Sequence, residues 1–126
     1  NAKSALLARG LAEIARLGVA LGARTETFFG IAGVGDLATT CFSPSGRNRT
    51  CGQRIGEGEP LAAIIETTVS VVEGVPTTRA ITALAARAGV DMPITRAVHA
   101  VLFEGTAPEA AVRELMSREP KAERIA

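Results

Sequence analysis

The segment Ser43-Pro44-Ser45-Gly46-Arg47-Asn48-Arg49 gathers the side chains best suited to holding an anion. Serine hydroxyls donate, amides at a helix start are unclaimed, and a guanidinium brings two parallel hydrogen bonds together with charge, which is what a phosphate dianion requires. The same residue types equally suit a solvated loop whose arginines pair with surface carboxylates, and composition does not separate the two. Asp36 lies eleven positions before Arg47 on a glycine-flanked turn. It is either a helix cap or a carboxylate aimed at the same place, and taken alone the cap is favoured. Gly33-Val34-Gly35-Asp36-Leu37-Ala38 satisfies the loose dinucleotide pattern G-x-G-x-x-A. That pattern needs a preceding strand and a strand–helix alternation, and neither Glu26–Ala32 nor the residues after it supply one. A turn joining helices is the better reading.

Other candidates carry less. Glu73, between Val72 and Gly74, reads locally as a turn residue. His99 lies among Val98 and Val101 with no nucleophile motif and no neighbouring acid to form a triad, so it reads as a core or surface histidine. Cys41 and Cys51 stand ten positions apart, and the single histidine is far downstream, so no zinc-ligand spacing exists and no metal is expected. Loop length alone permits a disulfide, but without a secretion signal both read as reduced thiols. The 126 residues carry 14 Lys+Arg against 13 Asp+Glu, leaving no basic surplus for displacing counterions from nucleic acid. Aromatics are 3% and all Phe, which removes stacking platforms for single strands. No apolar run reaches the length of a membrane span, and the expectation is a cytoplasmic protein.

The elements that position these residues read as helical throughout. Leu6, Leu7, Leu11, Ile14, Leu17 and Leu21 recur at steps of three and four, with Arg9, Glu13 and Arg16 assigned to other faces, so residues 2–21 form an amphipathic helix ended by Gly22. A short helix from Thr25 to Phe29 and a glycine-hinged turn at Gly30–Gly35 follow. Residues 41–48 read as a loop, residues 49–56 as a short helix, and Pro60 as the first turn of a helix through Ile65. Val69–Val72 reads as extended chain. Pro76 opens a helix carrying Ile81, Leu84 and Ala88 and capped by Gly89; Asp91-Met92-Pro93 opens the next, with Ile94, Val98, Val101 and Leu102 as its stripe, ended by Gly105. Thr106-Ala107-Pro108-Glu109 has capping-box spacing before a helix with Val112, Leu115 and Met116 as its buried face. The polar tail from Ser117 is expected to fray. The sum is one all-α domain of six or seven helices, which names no function by itself.

Several ordered motifs carry a resemblance. Asn1-Ala2-Lys3-Ser4-Ala5-Leu6-Leu7-Ala8-Arg9-Gly10-Leu11-Ala12-Glu13-Ile14, Gly30-Ile31-Ala32-Gly33-Val34-Gly35-Asp36-Leu37, Arg47-Asn48-Arg49, Val71-Val72-Glu73-Gly74 and Met92-Pro93-Ile94 together resemble NAD(P)-dependent glycerol-3-phosphate dehydrogenase over nearly the whole chain. The part resembled is the helical C-terminal substrate domain, of the kind found in 6-phosphogluconate dehydrogenase-like enzymes. Residues 1–126 would then form one substrate-binding domain whose partner, an N-terminal Rossmann domain, has no counterpart here.

The resemblance implies interconversion of dihydroxyacetone phosphate and sn-glycerol 3-phosphate with NAD(P)(H), in support of phospholipid synthesis. The cofactor would be held mainly by the N-terminal domain. It also implies substrate-binding roles for Asp36, Thr40, Gly46, Arg47 and Asn48, and cofactor contacts for Arg47, Val71 and Glu73. The family's catalytic lysine lies upstream; neither Lys3 nor Lys121 matches it, so these residues alone are expected to be inactive. Bacterial members usually carry serine at the position of Gly46, with Ser45 available as a substitute hydroxyl. The family's helical domains often contribute to homodimers. The competing readings are a stand-alone helical interaction or dimerisation module and the helical domain of another hydroxy-acid dehydrogenase.

Overall fold

A computed structural model describes residues 2–118. Seven α-helices account for most of them: α1 (Ala2–Ala20), α2 (Asp36–Phe42), α3 (Arg47–Gly56), α4 (Leu61–Thr67), α5 (Gly74–Ala88), α6 (Pro93–Phe103) and α7 (Pro108–Ser117). No strand occurs among the described residues, so the expected all-α class holds. Glu119–Ala126, and with them Lys121 and most of the expected tail, lie outside the described residues.

The long first helix packs against α5 and α6, but its buried face differs from the expected one. Ala12, Glu13, Ala15 and Leu17 are buried, whereas Ile14 and Leu21 are 41% and 55% exposed. Glu13, assigned from sequence to an outer face, is only 2% exposed. Its burial is explained by what it meets. Its Oε1 accepts the amide of Ile94 at 2.8 Å, and its Oε2 accepts the amide and the hydroxyl of Thr95 at 3.0 and 2.8 Å. These are first-turn donors of α6, and a carboxylate is doubly favoured there, by hydrogen bonds and by the helix dipole. The accounting for α6 is complete: Pro93 has no amide hydrogen, Glu13 takes the next two amides, and Arg96 bonds back to Met92.

Between α1 and α2 the chain runs through a 3₁₀ turn, Thr25–Phe29, and a five-residue π-helical turn, Ile31–Gly35. Phe28 explains the small residues around it. A Cβ on Gly33 would lie 2.1 Å from the Phe28 carbonyl oxygen, so that backbone contact requires glycine, and one on Gly18 of α1 would lie 2.1 Å from the Phe28 ring and would have to push it aside. The turn flows into α2, which extends through Cys41 and Phe42. The loop expected at residues 41–48 is therefore confined to 43–46, and α3 begins two residues early, at Arg47.

Other boundaries shift for identifiable reasons. Pro60 precedes α4, which continues to Thr67, and α5 starts at Gly74 with Pro76 inside its first turn. Gly89 closes α5 in the left-handed region as expected. The capping box at Thr106 does not form: Pro108 takes the first helical position, which leaves Ala107 as a cap without a side-chain hydrogen bond. On α7 the buried residues are Ala111 and Leu115, while Val112 and Met116 are 47% and 37% exposed.

Two apolar clusters hold the domain. Leu17, Ala85 and Met92 form one, joined by Ile81, Leu84, Ala88 and Val90; Cys51, Ile64 and Val72 form the other, joined by Ile55, Leu61 and Val75. The second cluster lies beneath the arginine-bearing start of α3 and the segment leading into α5, and so fixes the residues considered next.

Candidate functional site

The start of α3 is electrostatically unusual. Acidic side chains belong in the first turn of a helix, yet here the turn holds Arg47, Asn48 and Arg49 and no acid. Gly46 precedes it with no capping side chain, and the amides of Arg47, Asn48 and Arg49 have no hydrogen-bond partner among the described residues. Arg49 donates to the Phe42 carbonyl at 3.3 Å, tying α3 to the end of α2. Arg47 is exposed and in no ion pair among the described residues. The result is a helix start with open amides and an unspent guanidinium, both of which favour an incoming anion.

Gly46 has ordinary extended backbone, φ −63 and ψ 135. A Cβ there would meet Ser43 and Thr40 carbonyl oxygens at 3.7 Å, an ordinary contact, so the position does not require glycine and accommodates a serine. Ser43 and Ser45 hydroxyls lie 3.4 Å apart in the same loop.

Asn48 is held more firmly than its exposure suggests. Its Oδ1 accepts the amide of Gly74 at 2.9 Å, which joins the start of α3 to the start of α5. Val71 and Glu73, immediately before Gly74, are exposed, and Val72 between them is buried against Cys51 and Ile64. The structure thus brings Asn48 beside the Val71–Glu73 segment. An apolar groove of about 460 Å³ runs from Asn48, Gly74 and Thr78 between α1, α6 and α7, past Leu6, Val101 and Leu115.

Asp36 and Thr40 stand four residues apart on α2 and so share a face, and both are exposed. Asp36 is not a cap: Gly35 occupies that position, and no side-chain hydrogen bond closes the helix start. The Thr40 carbonyl approaches Gly46. No ion pair joins Asp36 to Arg47 among the described residues.

The remaining titratable candidates are structural. His99 has an acidic neighbour after all, since its Nδ1 lies 2.6 Å from Glu104 Oε2. Its ring also packs at 5.0 Å from Phe103, over which Arg79 lies at 4.1 Å. No nucleophile accompanies the pair. Cys41 and Cys51 are free thiols. Burial pushes the Cys51 thiol up, with Arg54 opposing, so it stays protonated. No cluster of three potential metal ligands occurs among the described residues, and no described helix is long and apolar enough to cross a membrane.

The residue that sequence reasoning overlooked is Gly74. Its signals were adjacency to Glu73 and a place in the Val71-Val72-Glu73-Gly74 motif, and nothing in the sequence paired it with Asn48.

The fold and this edge define an all-helical domain whose free donors gather at one helix start. The family model described as the C-terminus of NAD-dependent glycerol-3-phosphate dehydrogenase matches residues 1–113, and the chain belongs to that family. Glycerol-3-phosphate dehydrogenase NAD(P)+ 1 of Salinibacter ruber is 53% identical over 123 residues, covering 98% of this chain and 36% of that protein. A glycerol-3-phosphate dehydrogenase NAD(P)+ of Nitratidesulfovibrio vulgaris is also 53% identical over 123 residues, covering 98% of this chain and 37% of its own length. The crystal structure of glycerol-3-phosphate dehydrogenase from Coxiella burnetii superposes with a TM-score of 0.91 at 40% identity, covering 94% of this chain and 36% of that one. The chain therefore spans little more than a third of the relatives it matches.

Proposed function

We propose that these residues form the substrate-binding domain of an NAD(P)-dependent glycerol-3-phosphate dehydrogenase, acting with an N-terminal Rossmann domain of the same protein in the cytoplasm. Family membership supports the reaction class. The observation that carries the site is the start of α3, where three open amides, the unpaired Arg47 and the tethered Asn48 lie together. Arg47 supplies two charge-assisted hydrogen bonds to the phosphate of a three-carbon substrate, and the open amides and Asn48 add neutral donors. Gly46 contributes backbone and Thr40 a hydroxyl at the same rim, and Asp36 a carboxylate to orient a substrate hydroxyl.

A bound nicotinamide cofactor would supply the hydride chemistry at the substrate carbon. The residues present fit its edge and not its pyrophosphate: Val71 is 62% exposed and offers apolar surface, Glu73 offers an acceptor for ribose or carboxamide donors, and no strand-led glycine turn occurs among the described residues. The lysine that manages the alcohol proton belongs to the preceding domain. Apolar side chains left in solvent, Phe29 (53%), Ile31 (91%) and Phe42 (51%), provide a contact surface for that domain.

The test is Arg47→Ala in a full-length enzyme carrying these residues. The KM for glycerol 3-phosphate should rise by roughly 100-fold, far more than any loss in turnover of unphosphorylated glycerol. Equal losses on both substrates would remove the phosphate from Arg47.

A further inference from the structure

The glycine at the head of α5 sits in a conformation that does not call for glycine. The left-handed glycines of the described residues are Gly22, Gly58, Gly89 and Gly105, and Gly74 is not among them. What its missing side chain provides is space. A Cβ on Gly74 would lie 2.7 Å from Asn48 Oδ1, 3.0 Å from Cγ and 3.3 Å from Nδ2, so the whole carboxamide rests against the Gly74 backbone. At that distance the Gly74 amide donates to Asn48.

Two constraints act on one side chain. The amide N–H can only be met by an acceptor, so the oxygen end of Asn48 must face Gly74. The nitrogen end is then left with two donors, and Nδ2 has no hydrogen-bond partner among the described residues. An unrestrained asparagine presents either end to a ligand; this one presents donors only.

We propose that Gly74 is a positioning residue that fixes the carboxamide of Asn48 as a donor toward an oxygen of the phosphorylated substrate. The proposal rests on the functional reading above and adds a residue to it. It also gives the Val71–Glu73 segment a mechanical link to the phosphate end of the site, because Gly74 continues that segment directly.

The test uses a full-length enzyme carrying these residues, with Gly74→Ala, Asn48→Ala, the double variant and Asn48→Asp. Gly74→Ala should raise the KM for glycerol 3-phosphate about tenfold and change the KM for NAD(P) by less than about twofold, the equivalent of one misplaced hydrogen bond. The double variant should be no worse than Asn48→Ala, because the three atoms nearest the new methyl group all belong to the carboxamide that Asn48→Ala removes. Asn48→Asp keeps an acceptor for the Gly74 amide and loses the Nδ2 donors, so it should keep the parent melting temperature and slow Gly74 amide exchange while weakening substrate binding at least as much as Gly74→Ala.

The outcomes separate. An unchanged substrate KM in Gly74→Ala, with Asn48→Ala impaired, overturns the positioning role and leaves the functional reading standing. Losses that multiply in the double variant overturn it as well, since Gly74 would then act apart from Asn48. An unimpaired Asn48→Ala would remove Asn48 from the site, so the functional reading fails at that residue and the positioning role falls with it. If Gly74→Ala does not fold, Asn48→Asp decides: parent-like substrate binding overturns the proposal.

Discussion

Two helix starts in this molecule borrow an oxygen from another helix, and they borrow it differently. At α6 the Glu13 carboxylate is buried and accepts three donors, from Ile94 and Thr95. At α5 the Asn48 carboxamide is exposed and accepts one, from Gly74, with its nitrogen uncommitted. The first tether exhausts its side chain on holding α1 to α6. The second holds α3 to α5 and keeps donors in reserve. A saturated, buried polar group is an element of architecture; a half-used, exposed one at the same kind of joint is available to a ligand.

Breaking the first tether should have an effect as large as any single substitution in the core. Glu13→Ala strands the Ile94 and Thr95 amides in the interior and should cost about 3 kcal/mol in a urea denaturation. A cost below about 1 kcal/mol would mean that water replaces the carboxylate and that the joint is not architectural. Ile64→Ala probes the apolar support under the second tether. At 1% exposure Ile64 is the bulkiest of the fully buried side chains described, and its truncation should also cost about 3 kcal/mol. Asn48→Ala should cost only about 1 kcal/mol in the same measurement, because solvent can reach the Gly74 amide, while substrate binding suffers far more than stability.

The smallest effect belongs to the Arg54–Glu59 pair at the α3–α4 corner, where Arg54 Nε and Nη2 meet the two carboxylate oxygens at 2.8 and 2.7 Å. The Arg54 hydrogen bond holds the Glu59 carboxyl below its usual range, burial opposing it. A depressed carboxyl contributes above its unfolded value and loses that contribution as pH falls through its folded one. The melting temperatures of the parent and Glu59→Gln should therefore differ slightly at neutral pH and converge in acid. A gap that persists in acid strong enough to protonate even a depressed carboxyl would assign it to packing.

The fold was legible where periodicity and punctuation agree, as in α5 with its Ile81–Leu84–Ala88 stripe and Gly89 cap, or α6 behind Pro93. It was less legible where a tertiary partner overrides a local rule. Glu13 falls in register with Leu6, Gly10 and Leu17 on α1, a signal for burial, but its charge argued the opposite, and its partners lie 81 and 82 positions away. The Thr106 capping box failed because Pro108 fixes the helix start one residue later. At the candidate site, residue types pointed to Arg47 and Asn48, while the role of Gly74 depends on a contact across 26 positions that no local pattern encodes. Asp36 lost its local reading as a cap once Gly35 was found in that place.

The π-helical turn before α2 sets a length rule for the chain. Its hydrogen bonds run from Gly35 back to Gly30 and from Asp36 back to Ile31, one residue wider than the α-helical spacing. Deleting a single residue between Gly30 and Gly35 would let the turn relax into ordinary α-helix and rotate every later side chain of α2 by about 100° around its axis. Asp36 and Thr40 would then point elsewhere around the α2 axis without any change in their own identity, so the count of residues in this turn matters as much as their chemistry.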